Sequence, residues 1–151
     1  MEKEKIDIEG VLSVGQSVEI YPTGYSMYPL VIPGRDRAVI APFIRQRDTI
    51  RKGDVLLFRR KGSILVLHRV CRVTKQGVYF VGDNQKEVEG PIALHQIVGK
   101  ATGFVRKGHR ISVHSPLYVL LTGSWLLLRP IRPMFWAITK QTRRLFGRKQ
   151  S

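Results

Sequence analysis

The feature that most constrains this chain is the spacing of its glycines and prolines. Pro22, Gly24, Pro29, Pro33, Gly34, Gly53, Gly62, Gly77 and Gly90 interrupt it so often that no long amphipathic helix fits between them. What remains between the breaks is a series of short apolar runs, at 17–21, 38–41, 54–58, 64–73, 78–81 and 97–105. Runs of that length bounded by turn residues predict strands. The expectation is a mainly β domain over residues 1–112, followed by an apolar and then basic segment, 113–151, with helical character. The composition of the 151 residues, 43% hydrophobic and 25% charged, suits one folded domain with a single core.

Charge is distributed unevenly. All 11 Asp and Glu lie at or before Glu89, whereas ten of the 26 Lys and Arg follow residue 100, giving +5 for residues 1–100 and +10 for 101–151. A basic end of this kind faces something anionic, lipid headgroups or nucleic acid. Residues 117–128 run nearly unbroken apolar, then Arg129, Pro130, Arg132 and Pro133 intervene before a second apolar stretch at 134–138. A bilayer span needs roughly 20 apolar residues. Extending this one to Ile138 would bury two arginines, at about 2.5–3.5 kcal/mol each near the membrane centre. The segment is expected to lie on a membrane surface as a pair of short helices, with Trp125 and Trp136 at headgroup level and 140–149 on anionic lipid. A helical hairpin packed on the β domain, or a dimer contact, is the alternative. The first nine residues alternate acids and lysines, so neither a secretory signal nor an N-terminal anchor is expected there.

One cysteine, Cys71, and four scattered histidines make neither an internal disulfide nor a metal cluster, and nothing in the sequence asks for a cofactor. Cys71 alternates with Val70 in a strand-like run and reads as a small buried hydrophobe.

Three stretches carry the chemistry: Gly24-Tyr25-Ser26-Met27-Tyr28-Pro29, then Arg51-Lys52-Gly53-Asp54-Val55, then Leu67-His68-Arg69-Val70 with Gly82-Asp83-Asn84 following. A serine hydroxyl is a poor nucleophile at neutral pH unless a base stands within hydrogen-bond reach, and a histidine with an ordinary pKa near 6.5 suits that task. Ser26 is the candidate nucleophile and His68 the candidate base. The run through His68 turns at Thr74-Lys75-Gln76-Gly77 into 78–81, which predicts a β-hairpin. A two-residue loop at Lys75 and Gln76 pairs positions summing to 151 and sets Asp83 directly opposite His68. A loop at Gln76-Gly77 makes Asp83 a diagonal neighbour on the same face. In either register Asp83 is the candidate orienter of the imidazole.

In this order and spacing the stretches resemble the boxes of the signal peptidase I superfamily, over about residues 22–101. His68-Arg69-Val70 resembles the endoplasmic-reticulum, archaeal and spore-former branch, whose base is histidine; bacterial housekeeping members have lysine there. The resemblance implies coiled antiparallel β-sheets of the signal peptidase and LexA-like type, a peptide substrate joined as an added strand beside Ser26, and cleavage of a leader-like peptide through a Ser-His acyl-enzyme. The branch carries further acids after its Gly-Asp-Asn box, and here those places hold Glu87 and Glu89, either of which replaces Asp83 as orienter in that reading. Gly24 stands where many members have an oxyanion-binding serine. Oxyanion stabilisation then falls to backbone N–H groups, that of Ser26 first, with Thr23 as helper and Met27 along the cleft. LexA-type repressors share the Gly24-x-Ser26-Met27 pattern but use a lysine base, where this sequence has His68, and a preceding helix-turn-helix, which is not expected in the roughly 20 residues before Tyr21. The rival reading is a non-catalytic module on the same fold whose basic tail binds membrane or nucleic acid; the interleaved aromatic and basic residues of a single-strand reader are missing, so nucleic acid is not the expected partner.

Overall fold

A computed structural model describes residues 7–61 and 64–131. A mainly antiparallel β fold with a short helical segment near the C-terminus is what it contains. Among the described residues there are eight strands: β1 (Val18–Ile20), β2 (Asp36–Pro42), β3 (Val55–Arg60), β4 (Ile64–Thr74), β5 (Gly77–Val81), β6 (Glu89–Ile92), β7 (Ile97–Arg106) and β8 (His109–Ser112). They form one sheet in the order β1-β2-β7-β3-β4-β5-β6, with β8 pairing β7. Every pairing is antiparallel.

Strand alternation divides the apolar residues between two cores. Val55, Leu57 and Leu67 pack with Met27, Val31, Ile40, Ala101 and Phe104, whereas Leu56, Phe58 and Val70 pack with Val78, Phe80, Ile92 and Ile97 on the other face. His68, paired with Leu56, lies on the second face; its ring meets Phe58 edge-on at 6.2 Å. Arg69, one residue on, belongs to the first.

Two helices flank the sheet. The first, α1 (Ile8–Ser13), starts where the Asp7 side chain accepts from the Gly10 N–H at 3.0 Å and ends before Gly15, whose φ of 82° closes the turn. It buries Leu12 in the first core. The second, α2 (Pro116–Leu127), is capped by Ser115, which accepts from the Tyr118 N–H at 3.3 Å, with Pro116 entering its first turn. α2 docks through its less apolar side: Thr122 is buried, Tyr118 stacks on Phe104, and the Trp125 Nε1–H donates to the Asp83 carbonyl at 2.9 Å. Leu117, Leu120, Leu121 and Leu127 face outward. Of the expectations for 113–151, the second apolar stretch, Trp136 and the basic end lie outside the described residues.

The hairpin register departs from the sequence prediction. Partners sum to 151 from Thr74 to Arg72, as a Lys75-Gln76 loop requires, but a β-bulge at Cys71 lowers the sum to 150 for Val70 and Arg69. A one-residue slip sends a side chain to the opposite face. Asp83 therefore does not sit opposite His68. It is buried against Arg69, whose Nε and Nη2 donate to its two carboxylate oxygens at 2.7 and 2.8 Å.

Arg69 is fully buried, and its remaining donor, Nη1, reaches the Gly53 carbonyl at 2.9 Å and the Tyr118 hydroxyl at 3.3 Å. Burial works against the guanidinium charge, but the bidentate bond to Asp83 outweighs it and raises the pKa further. Removing one partner of such a pair strands the other charge in the core. Arg69→Ala is expected to lower unfolding stability by about 3–5 kcal/mol in urea titration. Arg47→Ala, at an exposed pair with Asp48 that solvent screens, is expected to leave it nearly unchanged. Equal effects from the two would contradict the role given to Arg69.

Candidate functional site

The loop between β1 and β2 carries Ser26, and two buried apolar residues set its height. Met27 and Val31 plug the first core, and the Val31 N–H bonds the Met27 carbonyl at 2.9 Å, so Ser26 is left at the surface. The far end of the loop is fixed by Asp36. This fully buried carboxylate accepts from the Ile32 N–H and from Arg35 and Arg106, and Arg106 also donates to the Leu30 carbonyl. Burial opposes the Asp36 charge, yet these bonds win and hold its pKa far below the usual carboxylate range.

Near Ser26 the loop is gripped by the Gly82-Asp83-Asn84 turn. The Asn84 N–H donates to the Ser26 carbonyl at 2.8 Å. A Cβ at position 82 would stand 2.7 Å from that same carbonyl oxygen, so the turn approaches this closely only because residue 82 is glycine. The turn is itself held by Asp83, through Arg69, and by Trp125.

Ser26 and His68 line one open cleft of about 610 Å³. Thr23, Gly24 and Met27 border it, together with Tyr21, Tyr25, Leu67, Arg60 and Gln85. No hydrogen bond joins Ser26 to His68; catalytic contacts are commonly long before substrate binds. Residues 64–68 of β4 pair with β3 on one side and, since β5 begins its pairing at Arg69, with no strand among the described residues on the other. The cleft thus contains an open strand edge beside Ser26.

Among buried side-chain nitrogens and oxygens of the described residues, His68 Nδ1 alone lacks a hydrogen-bond partner. Glu89 Oε2 stands 3.7 Å from it, an ion-pair distance and too long for a hydrogen bond. Glu89 is meanwhile gripped by Arg60, whose Nε and Nη2 donate to it at 2.6 and 2.5 Å. His68 itself, though buried, lines the cleft. Of the three acids considered for orienting His68, Glu89 is the one beside it, Asp83 is committed to Arg69, and Glu87 is exposed with no contact to the imidazole. Arg60 and Gln85 were not singled out in the sequence. Arg60 had a signal, as a cation ending the apolar β3 in phase with Leu56 and Phe58; Gln85 had only its place after Gly82-Asp83-Asn84.

Desolvation lowers the His68 pKa below its ordinary 6.5, the Glu89 charge opposing and the Arg60 charge adding to the effect. The folded protein therefore keeps His68 neutral at pH 7, and below pH 6.5 the unfolded chain binds the proton first. Stability from this group is complete above about pH 6.5 and is lost as pH falls toward the depressed folded value. Urea unfolding from pH 8 to 5 is expected to show that loss in the wild type and a shallower one in His68→Asn. Identical slopes would contradict a buried neutral imidazole.

No family model matches this chain, and no curated protein matches it significantly.

Proposed function

We propose that the protein is a serine endopeptidase of the signal-peptidase type, cleaving a leader- or signal-like peptide. The observation that carries this reading is that Ser26 and His68, far apart in sequence, line one cleft that also holds an open strand edge. An extended peptide pairing with residues 64–68 would bring a carbonyl to Ser26 by main-chain hydrogen bonds alone, with side-chain selection left to the cleft walls. The walls near Met27, Leu65 and Leu67 are apolar, and the family resemblance implies small residues before the cut.

In this mechanism His68 Nε2 accepts the Ser26 hydroxyl proton as Oγ attacks the carbonyl carbon, and the resulting oxyanion is met by the Ser26 N–H with help from the Thr23 hydroxyl. The imidazolium then returns the proton to the departing amine. Water, activated by the same nitrogen, releases the acyl group. Glu89 orients the ring through Nδ1–H and stabilises the imidazolium as it forms, closing from 3.7 Å to hydrogen-bond distance as charge develops. Asp83 acts at one remove, by holding the turn that positions Ser26.

The same proposal seats the enzyme peripherally on a membrane through 117–149. No helix among the described residues is long and apolar enough to cross a bilayer, and α2 turns its leucines outward.

A fluorophosphonate or penem acylator tests the chemistry. Labelling is expected in the wild type and absent in Ser26→Ala and His68→Ala. Glu89→Gln, which keeps shape but removes charge, is expected to slow labelling by about 10–1000-fold without abolishing it. Undiminished labelling of Ser26→Ala would overturn the proposal.

A further inference from the structure

A second cavity, of about 630 Å³, lies between α2 and the 51–55 turn and is lined by Gly53 and Tyr118, the two residues that Arg69 Nη1 bonds. Its two walls differ in chemistry. Val113, Val119, Leu126 and Leu127 form an apolar wall, and the facing rim carries Arg51 and Lys52. Lys100, also on that rim, is occupied by Asp54 at 2.8 Å and by the Thr49 carbonyl. Arg51 and Lys52 are different: both are exposed, and neither side chain makes a hydrogen bond or ion pair among the described residues.

We infer that this cavity binds one anionic phospholipid drawn from the bilayer, with an acyl chain along Val119 and Leu126 and the phosphate at Arg51 and Lys52. The inference rests on the membrane-surface reading of α2 and adds a specific site to it. Unpaired cations at the rim attract an anion, and a guanidinium forks onto phosphate oxygens. A volume of this size is within the ordinary range for small-molecule sites and leaves room for a headgroup and part of one chain. A nucleic-acid phosphate would satisfy the same cations but leave the valine and leucine wall bare. Tyr118, which lines the cavity, already stacks on Phe104 and turns its hydroxyl to Arg69, so its ring is not open to a base. Continuity favours lipid as well. Leu127 belongs to both the cavity and the exposed apolar side of α2, so a chain can pass from one to the other without crossing polar surface.

The probe is dihexanoyl phosphatidylglycerol below its aggregation concentration, titrated calorimetrically into the full-length protein. Saturable binding at one molecule per chain is expected, weakened about tenfold or more in Arg51→Gln/Lys52→Gln and about as weak for dihexanoyl phosphatidylcholine. Thermal unfolding of the double variant, altered only at exposed positions, is expected to match wild type. Arg47→Gln, at a cation outside the cavity, is expected to leave binding intact. Absence of saturable binding, or equal binding by the double variant or of the zwitterionic lipid, overturns the site. Flotation with vesicles of mixed phosphatidylglycerol and phosphatidylcholine separates the two levels. A protein that floats yet binds no monomeric lipid loses only this site; one that does neither loses the membrane reading too.

Discussion

The buried Arg69–Asp83 pair is the interaction on which the rest of the arrangement depends. Two charges in the interior incur a desolvation cost that only bidentate geometry and further hydrogen bonds offset. Here those further bonds do structural work. Arg69 reaches the Gly53 carbonyl and the Tyr118 hydroxyl, and the Asp83 carbonyl takes the Trp125 indole. Asn84, the next residue, holds the Ser26 carbonyl. One ion pair thus connects β4, the 51–54 turn, α2 and the serine loop, so its geometry fixes where Ser26 stands relative to the strand that carries His68. A hydrophobic pair of similar volume would fill the space but could not set these directions.

Neighbouring residues of β4 are given opposite tasks by strand alternation. Arg69 points into the face where polar bonds assemble the scaffold, and His68 into the face where Phe58 and Glu89 surround it. Burial keeps the imidazole neutral, as a general base requires. The Glu89 carboxylate favours the charged form, and Arg60 tempers that pull by engaging both carboxylate oxygens. Arg60 thus sets how much of the Glu89 charge the ring feels.

Much of this was legible in the sequence, because strands with one buried face announce themselves by alternation and by the glycines and prolines that end them. The strands β1, β2, β3, β4, β5 and β7 fall on predicted apolar runs, and Ser26 and His68 stood out by residue type and spacing. What escaped has physical reasons. The Cys71 bulge inserts one residue without any compositional mark, so the register carried past it placed Asp83 on the wrong face. Arginine usually belongs to the surface, and only its place inside an apolar strand marks Arg69 as having a buried partner. The helix α1 was hidden by surrounding charges, although Ile8, Val11 and Leu12 have helical spacing. Which acid would face His68 depended on the chain path from Asp83 to Glu89, where no periodic signal exists.

The central claim is that Ser26 is activated by a buried, neutral histidine. Its most direct test is the rate of covalent modification by a fluorophosphonate as a function of pH, with the modified residue identified by peptide mass spectrometry. The expected result is an adduct on Ser26 whose rate of formation is level through neutral pH and falls by half below pH 6.5, following the depressed His68 pKa. An adduct elsewhere, or a rate that rises only above about pH 8 as a lysine base would give, would contradict it.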